Sequence, residues 1–323
     1  MRIHTKSIYK GSNADTSKII CVSLFRMKKS YRGFGKYLEF CISFIEKVKN
    51  TLPEWFLRIY VDESVQEDEL EQLKADHVEL VFYKCDDFWD EESGTHEGTF
   101  GTFMRFLPMF SAEKYDAMAS SDIDVDVFML EYFKYFDKNA EEIGFINQLC
   151  YNNWIPEDLK YSILAGGIYS KVVFPRQLLT NFLKEVKTGS VSLKIIKTTD
   201  TDTYVPYGTD EYFLTTKLYN YIENKKIKVM TLTLASVISG IRNILKEVKD
   251  ERKDKIEKYI KKLSYLDHEF WKDPRKLKPD AFKKYLDPIV ELVQPELKNS
   301  RHAKCILDYL DHPKMVRLHR YNY

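Results

Sequence analysis

Short apolar runs alternate with helical patterns along the first two-thirds of the chain. Runs rich in β-branched and aromatic residues are typical of buried strands. Four such runs cover Lys18–Phe25, Trp55–Ser64, Val78–Cys85 and the stretch KYDAMASSDIDVDV at 114–127. Between them, apolar residues at helical spacing predict helices over Lys36–Lys49, Glu67–Ala75 and, bent near Pro108, Phe103–Phe110. This order predicts an α/β fold with a mixed, mostly parallel, Rossmann-like sheet that carries helices on both faces.

The pattern changes in the last third of the chain. Strands are predicted over Glu141–Asn147 and Tyr161–Ser170, and helices over Val173–Val186 and Thr209–Tyr221. From about residue 235 the sequence becomes helical in pattern and rich in Lys and Glu. We therefore predict an α/β domain at 1–234, a helical appendage at 235–310 and a tail at 311–323.

Composition excludes several classes of protein. With 44% hydrophobic residues and a net charge of +1, the chain is neither disordered nor a dedicated nucleic-acid binder. Its five cysteines are scattered, which argues against a disulfide framework or a structural zinc site. The uncharged stretch Val229–Ile241 is far shorter than the roughly 20 residues of a membrane span. We expect a soluble protein without a membrane anchor, acting in the cytoplasm of a bacterium or as a viral protein in its host.

Three aspartates alternate with apolar residues at the end of the fourth predicted strand. On a strand, Asp122, Asp124 and Asp126 would share one face, where like charges repel unless a cation lies between them. Hard divalent cations prefer carboxylate oxygens, and parallel sheets bind ligands beyond the carboxyl ends of their strands. Asp62 follows a strand in the same way. The alternative is a solvated turn, in which aspartate is also common.

The Asp-x-Asp spacing also opens the phosphatases of the haloacid-dehalogenase type. In those proteins the motif lies near the start of the domain, whereas here it begins at Asp122. Their partner lysine and acidic motifs are not evident in this sequence. A phosphatase of that type is therefore the weaker interpretation.

Several motifs together resemble the GT-A-fold glycosyltransferases. The segment TFMRFLPMFSAEKYDAMASSDIDVDVF (102–128) resembles the glycogenin-like group, in which an Arg-Phe-x-x-Pro-type helix precedes a strand ending in Asp-x-Asp. LAGGIYS (Leu164–Ser170) is similar to the small-residue, acceptor-side segment of such enzymes. YGTDEYFLTTKL (Tyr207–Leu218) resembles the Asp-Glu helix start of the retaining blood-group transferases. The motifs follow one another in the family's order over about residues 18–225.

The resemblance implies residues for the nucleotide and the metal. Asp122 would contact the ribose and help to hold Mn²⁺ or Mg²⁺, and Asp124 would be the principal metal ligand. Ile123 would lie beside the nucleotide, and Asp62 would face the nucleoside base. Such a metal would neutralise charge on the departing diphosphate.

The resemblance also implies residues for the sugar. Arg105 would reach the bound sugar or Asp122, and Gly166 and Gly167 would let the donor or the acceptor approach the backbone closely. Glu211, with Asp210 beside it, would lie near the anomeric carbon. The alternative for these two acids is helix capping, because carboxylates in a first turn complement the helix dipole.

A late histidine often completes the metal site in this fold, so the resemblance implies that 1–234 is the catalytic domain and that the tail at 311–323 returns to its active site. In HPKMVRLHRYNY (312–323), His319 best matches that element, with His312 as its competitor, but the glycine and the lysine-proline-tryptophan that follow in the glycogenin-like group are missing. A surface histidine without a ligand is the alternative.

The resemblance therefore implies a metal-dependent transferase that moves a hexose from a nucleotide-diphosphate sugar, with UDP the expected nucleotide, to a glycan or protein acceptor. Retention of configuration is the favoured outcome, and the alternative is an inverting enzyme, in which such a carboxylate acts as base on the acceptor hydroxyl. One rival is a sugar nucleotidyltransferase or phosphotransferase, although SLFRMKKSYRGFG (23–35) poorly matches the glycine-rich signature that such enzymes carry after the first strand. The other rival is a non-catalytic interaction protein on a transferase fold.

Overall fold

The computed structural model describes most of the first 232 residues and parts of the remainder. The described residues are 1–28, 32–125, 127–147, 163–191, 205–232, 248, 250–259, 262, 284, 287–289, 291–292 and 316–319.

The described strands form one large sheet and one small hairpin. They are β1 (His4–Lys10), β2 (Lys18–Leu24), β3 (Phe56–Val61), β4 (Val78–Lys84), β5 (Trp89–Asp90), β6 (Thr95–His96), β7 (Ala117–Ser121), β8 (Ile143–Asn147), β9 (Ile163–Ser170), β10 (Val229–Leu232) and β11 (Val316–His319). The large sheet has the order β1-β4-β3-β2-β7-β9-β8-β10-β11, and β5 pairs with β6.

Most strands of the large sheet run in one direction. β4, β3, β2 and β7 are parallel neighbours, and β8 and β10 run the same way. The exceptions are β1, β11 and β9, of which β9 runs antiparallel between β7 and β8. The predicted mixed, mostly parallel α/β sheet is thus confirmed.

Helices connect these strands. They are α1 (Phe34–Thr51), α2 (Glu67–Glu71), α3 (Val127–Asn139), α4 (Arg176–Lys187), α5 (Thr209–Phe213) and α6 (Tyr219–Lys225). A 3₁₀ helix covers Phe100–Phe110, and a single π-helical stretch, Leu214–Leu218, joins α5 to α6.

Each face of the sheet is covered by its own apolar layer. Alternate side chains of a strand point to opposite faces, and in β2 Ile20 packs in the same cluster as Phe44 of α1 and Phe136 of α3. Its neighbour Ile19 packs in the cluster on the other face, with the phenylalanines of the 3₁₀ helix and with α4, α5 and α6. The helices on both faces agree with the prediction.

One prediction about the acidic stretch was wrong. The fourth predicted strand was expected to continue to residue 127, but β7 ends at Ser121, and a turn at Ile123 and Asp124 leads into α3. Asp122 and Asp124 therefore do not alternate on a strand, and Asp126 lies outside the described residues. Aspartate side chains favour turns, and neighbouring carboxylates on one strand face would repel each other.

The helix predictions need smaller corrections. The predicted helix Phe103–Phe110 is a 3₁₀ helix that already begins at Phe100. The helix predicted from Val173 begins at Arg176, because Pro175 disfavours a helical conformation of the residue before it and itself occupies the N-cap in an extended conformation.

Little of the predicted appendage falls within the described residues. Residues 252–259 are helical, as expected, and most of 235–310 lies outside the described part. In the predicted tail, residues 316–319 form β11 at one end of the sheet's strand order. None of the helices described is both long enough and apolar enough to span a membrane.

Candidate functional site

The candidate site lies at one edge of the sheet, where the parallel strands end. Asp62 directly follows β3, and Asp122 directly follows β7. Because β9 runs the other way, its first half lies at the same edge, and Gly167 pairs with Ser121. Ligands of open α/β sheets bind at this edge.

Arg105 connects two acidic segments at this edge. Its side chain is buried in the 3₁₀ helix, and Nη1 donates to Oδ1 of Asp122 and to the carbonyl of Ser121. Nη2 donates to Oδ2 of Asp210, in the first turn of α5, at 2.7 Å. We call Arg105, Asp122 and Asp210 the Arg105 cluster. It brings together three residues that were predicted separately.

The arginine of this cluster is charged. Burial alone would lower the pKa of Arg105, but the charges of Asp122 and Asp210 outweigh burial and raise the pKa above its ordinary value. A buried cation of this kind holds both carboxylates in place, and the planar guanidinium fixes their separation. The predicted contact between Arg105 and Asp122 is present, whereas the contact with Asp210 was not predicted.

Gly166 makes room for Asp122. A Cβ atom built on Gly166 would overlap the Asp122 carboxylate, so any larger residue would displace that side chain. A Cβ on Gly167 would instead come within 2.8 Å of Cδ1 of Ile146, a buried core residue. Gly166 thus belongs to the site, while Gly167 serves packing between β8 and β9.

Asp124 lies at the surface, with its carboxylate 2.7 Å from the guanidinium of Arg32. Arg32 comes from the basic segment after β2, just before α1. Exposed pairs of this kind contribute only about 0–1 kcal/mol, so a ligand could displace one readily. The side chain of Ile123, between the two aspartates, is buried in the apolar layer under α1 and α3 and is turned away from this surface.

Asp210 and Glu211 differ in their surroundings. Asp210 is 5% exposed, bound to Arg105, and accepts the backbone N–H of Glu211 at 2.9 Å. The side chain of Glu211 is only partly buried. Asp210 therefore binds an N–H group in the first turn of α5, in agreement with the helix-capping alternative. Glu211 is the more exposed of the two carboxylates and is better placed to meet a ligand.

The site combines acids from two segments with arginines that bind them. Arg105 pairs with Asp122 and Asp210, and Arg32 pairs with Asp124. No group of three or more His, Cys, Asp or Glu side chains that could hold a metal ion was found among the residues described. These carboxylates would therefore hold a divalent cation only if a ligand supplies some of its coordinating oxygens.

Asp62 points into the protein. Its carboxylate accepts hydrogen bonds from Tyr83 Oη at 3.2 Å and from His96 Nδ1 at 2.7 Å, and it also accepts the Ser64 hydroxyl. The Cys85 N–H donates to His96 Nε2, so the proton of a neutral imidazole lies on Nδ1 and is donated to Asp62. The structure thus directs Asp62 to an internal network, and its contact with a nucleoside base stays a prediction.

Sequence reasoning missed the contribution of His96. The segment EESGTHEGTFG (91–101) contains no apolar run that would predict a strand. In the structure its Thr95 and His96 form β6, and His96 stacks on Phe100 at 5.1 Å between ring centroids. His96 comes from a separate hairpin, 34 residues after Asp62, so no fixed sequence spacing signals their contact.

His319 does not lie beside the aspartates. The strand register shows this. His319 pairs with Val229 on β10, which is level with Ile143 on β8 and with Ser170 on β9. Ser170 in turn pairs with Met118 on β7, three residues before the end of that strand. With four strand spacings of about 4.8 Å and four residues of about 3.3 Å each, its backbone lies roughly 23 Å from Asp122, toward the opposite edge. The structure does not bring it to the predicted metal ligands, and His312 lies outside the described residues.

Comparisons with known proteins add little. No family model and no curated protein matches the sequence. Among solved structures, the chain is similar to 4-diphosphocytidyl-2C-methyl-D-erythritol synthase from Anaerococcus prevotii, with 11% identity and a TM-score of 0.33, over 67% of this chain and 89% of that one. At this degree of likeness, the assignment of the fold class rests on the strand order and the two helical layers described above.

Proposed function

We propose that the protein is a metal-dependent glycosyltransferase that moves a hexose from a nucleotide-diphosphate sugar, with UDP the expected nucleotide, to a glycan or protein acceptor. The observation that carries the proposal is the Arg105 cluster. It holds a carboxylate from a strand end and a carboxylate from a helix start together at the ligand-binding edge of the sheet. Glu211 and Asp124 add two carboxylates beside them.

The residues present fit a divalent metal that binds together with the donor. Oδ1 of Asp122 is taken by Arg105, and no hydrogen bond to its Oδ2 is found among the described residues. Asp124 is exposed and paired only weakly. Mg²⁺ and Mn²⁺ commonly take one or two carboxylates and complete their coordination with substrate phosphates and water. When bound, such a metal stabilises negative charge on the leaving diphosphate, an effect of several kcal/mol.

The chain's own residues would then position the donor. Arg105 fixes Asp122 and Asp210, so that the carboxylates do not have to reorganise when the donor binds. Arg32 forms an ion pair with Asp124 and would pair with the diphosphate instead once the donor binds. Glu211 would stabilise the oxocarbenium-like sugar, or attack it, which gives retention of configuration. Asp210 is bound to Arg105 and would orient this site without attacking the sugar.

The experiment is a donor-hydrolysis assay with nucleotide sugars in the presence and absence of Mn²⁺. We expect release of the nucleoside diphosphate only with metal, and we expect Asp124→Asn to lower the rate by about a thousandfold, because a metal contribution of about 4 kcal/mol is lost. The matched control is Asp15→Asn, which removes another exposed, ion-paired aspartate. It should change neither the rate nor the thermal stability appreciably.

Two other outcomes would contradict the proposal in different ways. Release of pyrophosphate from a nucleoside triphosphate and a sugar phosphate would identify a nucleotidyltransferase that uses the same carboxylates. A melting temperature unchanged by UDP with Mn²⁺, and by every other nucleotide tested, would indicate an interaction protein without a donor site.

A further inference from the structure

Tyr207 is an unusually exposed aromatic residue next to the candidate site. Its side chain is 75% exposed, whereas the other exposed large hydrophobic residues of the described part, Ile8, Val127 and Val173, are between 39% and 44% exposed. Tyr207 stands three residues before Asp210. Single exposed apolar residues are common on protein surfaces, so the exposure of Tyr207 gains meaning only from its place beside the acids of the candidate site.

The backbone that carries Tyr207 is held firmly on both sides. Before it, Thr99 donates its N–H to the carbonyl of Val205 at 2.9 Å and its hydroxyl to the carbonyl of Pro206 at 3.1 Å. After it, Gly208 has a φ of +86°, which glycine adopts without strain, and caps α5. Thr209 also donates its hydroxyl to the carbonyl of Pro206. The ring is therefore presented on a fixed turn.

Tyr207 lies next to two of the site's carboxylates in the chain: the turn that carries it leads directly into α5, whose first turn holds Asp210 and Glu211. A tyrosine phenol has a pKa of about 10, so it is uncharged at neutral pH. An uncharged aromatic surface thus stands directly beside a group of hydrogen-bonding acids.

This combination matches the chemistry of a sugar ring. A pyranose has an apolar C–H face, which packs on an aromatic ring, and hydroxyl groups at its rim, which carboxylates accept as hydrogen-bond donors. The diphosphate of a donor would be drawn to the cations and metal ligands around Asp122 and Asp124, which leaves the Tyr207 side for the second substrate. A pyranose offers both features on one rigid ring, whereas a peptide acceptor offers them only through particular side chains.

We propose that Tyr207 is the platform on which the acceptor stacks and that the acceptor is a glycan, bound through the apolar face of its terminal pyranose. The inference rests on the proposed function, and it narrows the acceptor from glycan or protein to glycan alone.

The test compares Tyr207→Ala with Tyr207→Phe, which keeps the ring. A glycan array probed with the labelled full-length protein, UDP and Mn²⁺ measures acceptor binding without requiring turnover. We expect the wild type and Tyr207→Phe to bind the same glycans, and Tyr207→Ala to bind them about tenfold more weakly. Ile8→Ala, which removes an exposed apolar side chain from β1, should bind like the wild type. In transfer assays, Tyr207→Ala should raise KM for the acceptor about tenfold and leave donor hydrolysis unchanged.

Each other result would overturn the inference. Equal glycan binding by the wild type and Tyr207→Ala would show that the ring is not a platform. No glycan bound by the wild type, or a change in KM for the donor alone, would place the ring elsewhere in the reaction. The proposed function fails separately, through an absence of metal-dependent donor hydrolysis in the wild type, and the array result does not depend on that assay.

Discussion

Two buried arginines in this molecule each hold two carboxylates, but their surroundings differ. Besides the Arg105 cluster at the edge of the sheet, Arg58 of β3 donates to Glu79 at 2.8 Å and to Glu113 at 2.7 Å. We call Arg58, Glu79, Glu113 and Tyr115 the Arg58 cluster. In both clusters, one carboxylate side chain is about 8% exposed and the other about half exposed.

The members of the Arg58 cluster form most of their hydrogen bonds with one another. Arg58 also donates to the Tyr115 hydroxyl at 2.8 Å, and that hydroxyl donates to Glu113 at 2.6 Å. In the Arg105 cluster, Nε of Arg105 is buried without a hydrogen-bond partner in the described part of the chain. Two further acids, Asp124 and Glu211, lie close in the sequence to the aspartates of the Arg105 cluster. Among the described residues, no tyrosine hydroxyl is found that bridges Arg105 to either aspartate.

A cavity by itself does not distinguish the two regions. A cavity of about 170 Å³ lies at the Arg58 cluster and is lined by residues of β1, β3 and β4 and by Arg176. The acids there already have partners, and the cavity lies away from the strand ends that bind ligands in such sheets. The comparison teaches that position separates the two clusters: the Arg105 cluster lies at strand ends, where such sheets bind ligands, whereas the Arg58 cluster lies on a face of the sheet, where its ion pairs stabilise the fold.

The largest test of this difference replaces each arginine by methionine. Arg58→Met leaves Glu79 buried without its cation, so we expect the free energy of unfolding to fall by about 3–5 kcal/mol, measured by urea denaturation. At a temperature where this variant stays folded, its affinity for UDP with Mn²⁺ should equal that of the wild type. Arg105→Met should be destabilised to a similar degree and should also lose nucleotide affinity. Equal losses of affinity in both variants would remove the distinction between the clusters.

A second, smaller effect separates the two neighbouring glycines of β9. Gly166→Ala places a methyl group against the Asp122 carboxylate, and Gly167→Ala places one against Ile146. Both should lower the free energy of unfolding by about 1–3 kcal/mol through overpacking. Only Gly166→Ala should also weaken metal-dependent nucleotide binding, which calorimetric titration measures. Similar binding by the two variants would contradict the assignment of Gly166 to the site.

The smallest effect concerns pH and the Arg58 cluster. Burial alone would raise the pKa of Glu113, but the hydrogen bonds from Tyr115 and Arg58 outweigh burial and lower this pKa below its ordinary value. A carboxyl group with a lowered pKa stabilises the folded state above its unfolded pKa of about 4.3, and this contribution is lost as the pH falls through the folded pKa. Because Glu113 is half exposed, we expect less than about 1 kcal/mol.

Stability curves between pH 7 and pH 3 check this expectation. Glu113→Gln should lose less stability than the wild type on acidification below about pH 4.3. A wild type and variant with parallel curves would show that the ion pair contributes nothing measurable.

The sheet could be predicted from the sequence because its strands are short, continuous apolar runs. β2, β3 and β4 were located to within three residues at either end, since buried parallel strands have few polar interruptions. β1 was missed because its residues are mostly exposed and carry no apolar run. α3 was missed because the aspartates before it were assigned to a continuing strand.

The site could be predicted in its parts but not in its connections. Asp122, Arg105, Gly166 and Asp210 were each identified from motifs. Their contacts depend on β9 running antiparallel beside β7, and local patterns do not specify the direction of a strand. The burial of Asp62 likewise depends on His96, which comes from a separate hairpin.

The 3₁₀ helix that carries Arg105 has a consequence for when the site can exist. Ten of its eleven residues are buried, and 3₁₀ geometry is rarely sustained over such a length without support from neighbouring elements. The segment is therefore expected to adopt its shape only once the sheet and α5 have assembled around it. Nucleotide binding would then require complete folding. Partly denatured molecules that retain their strands would already have lost the ability to bind a nucleotide.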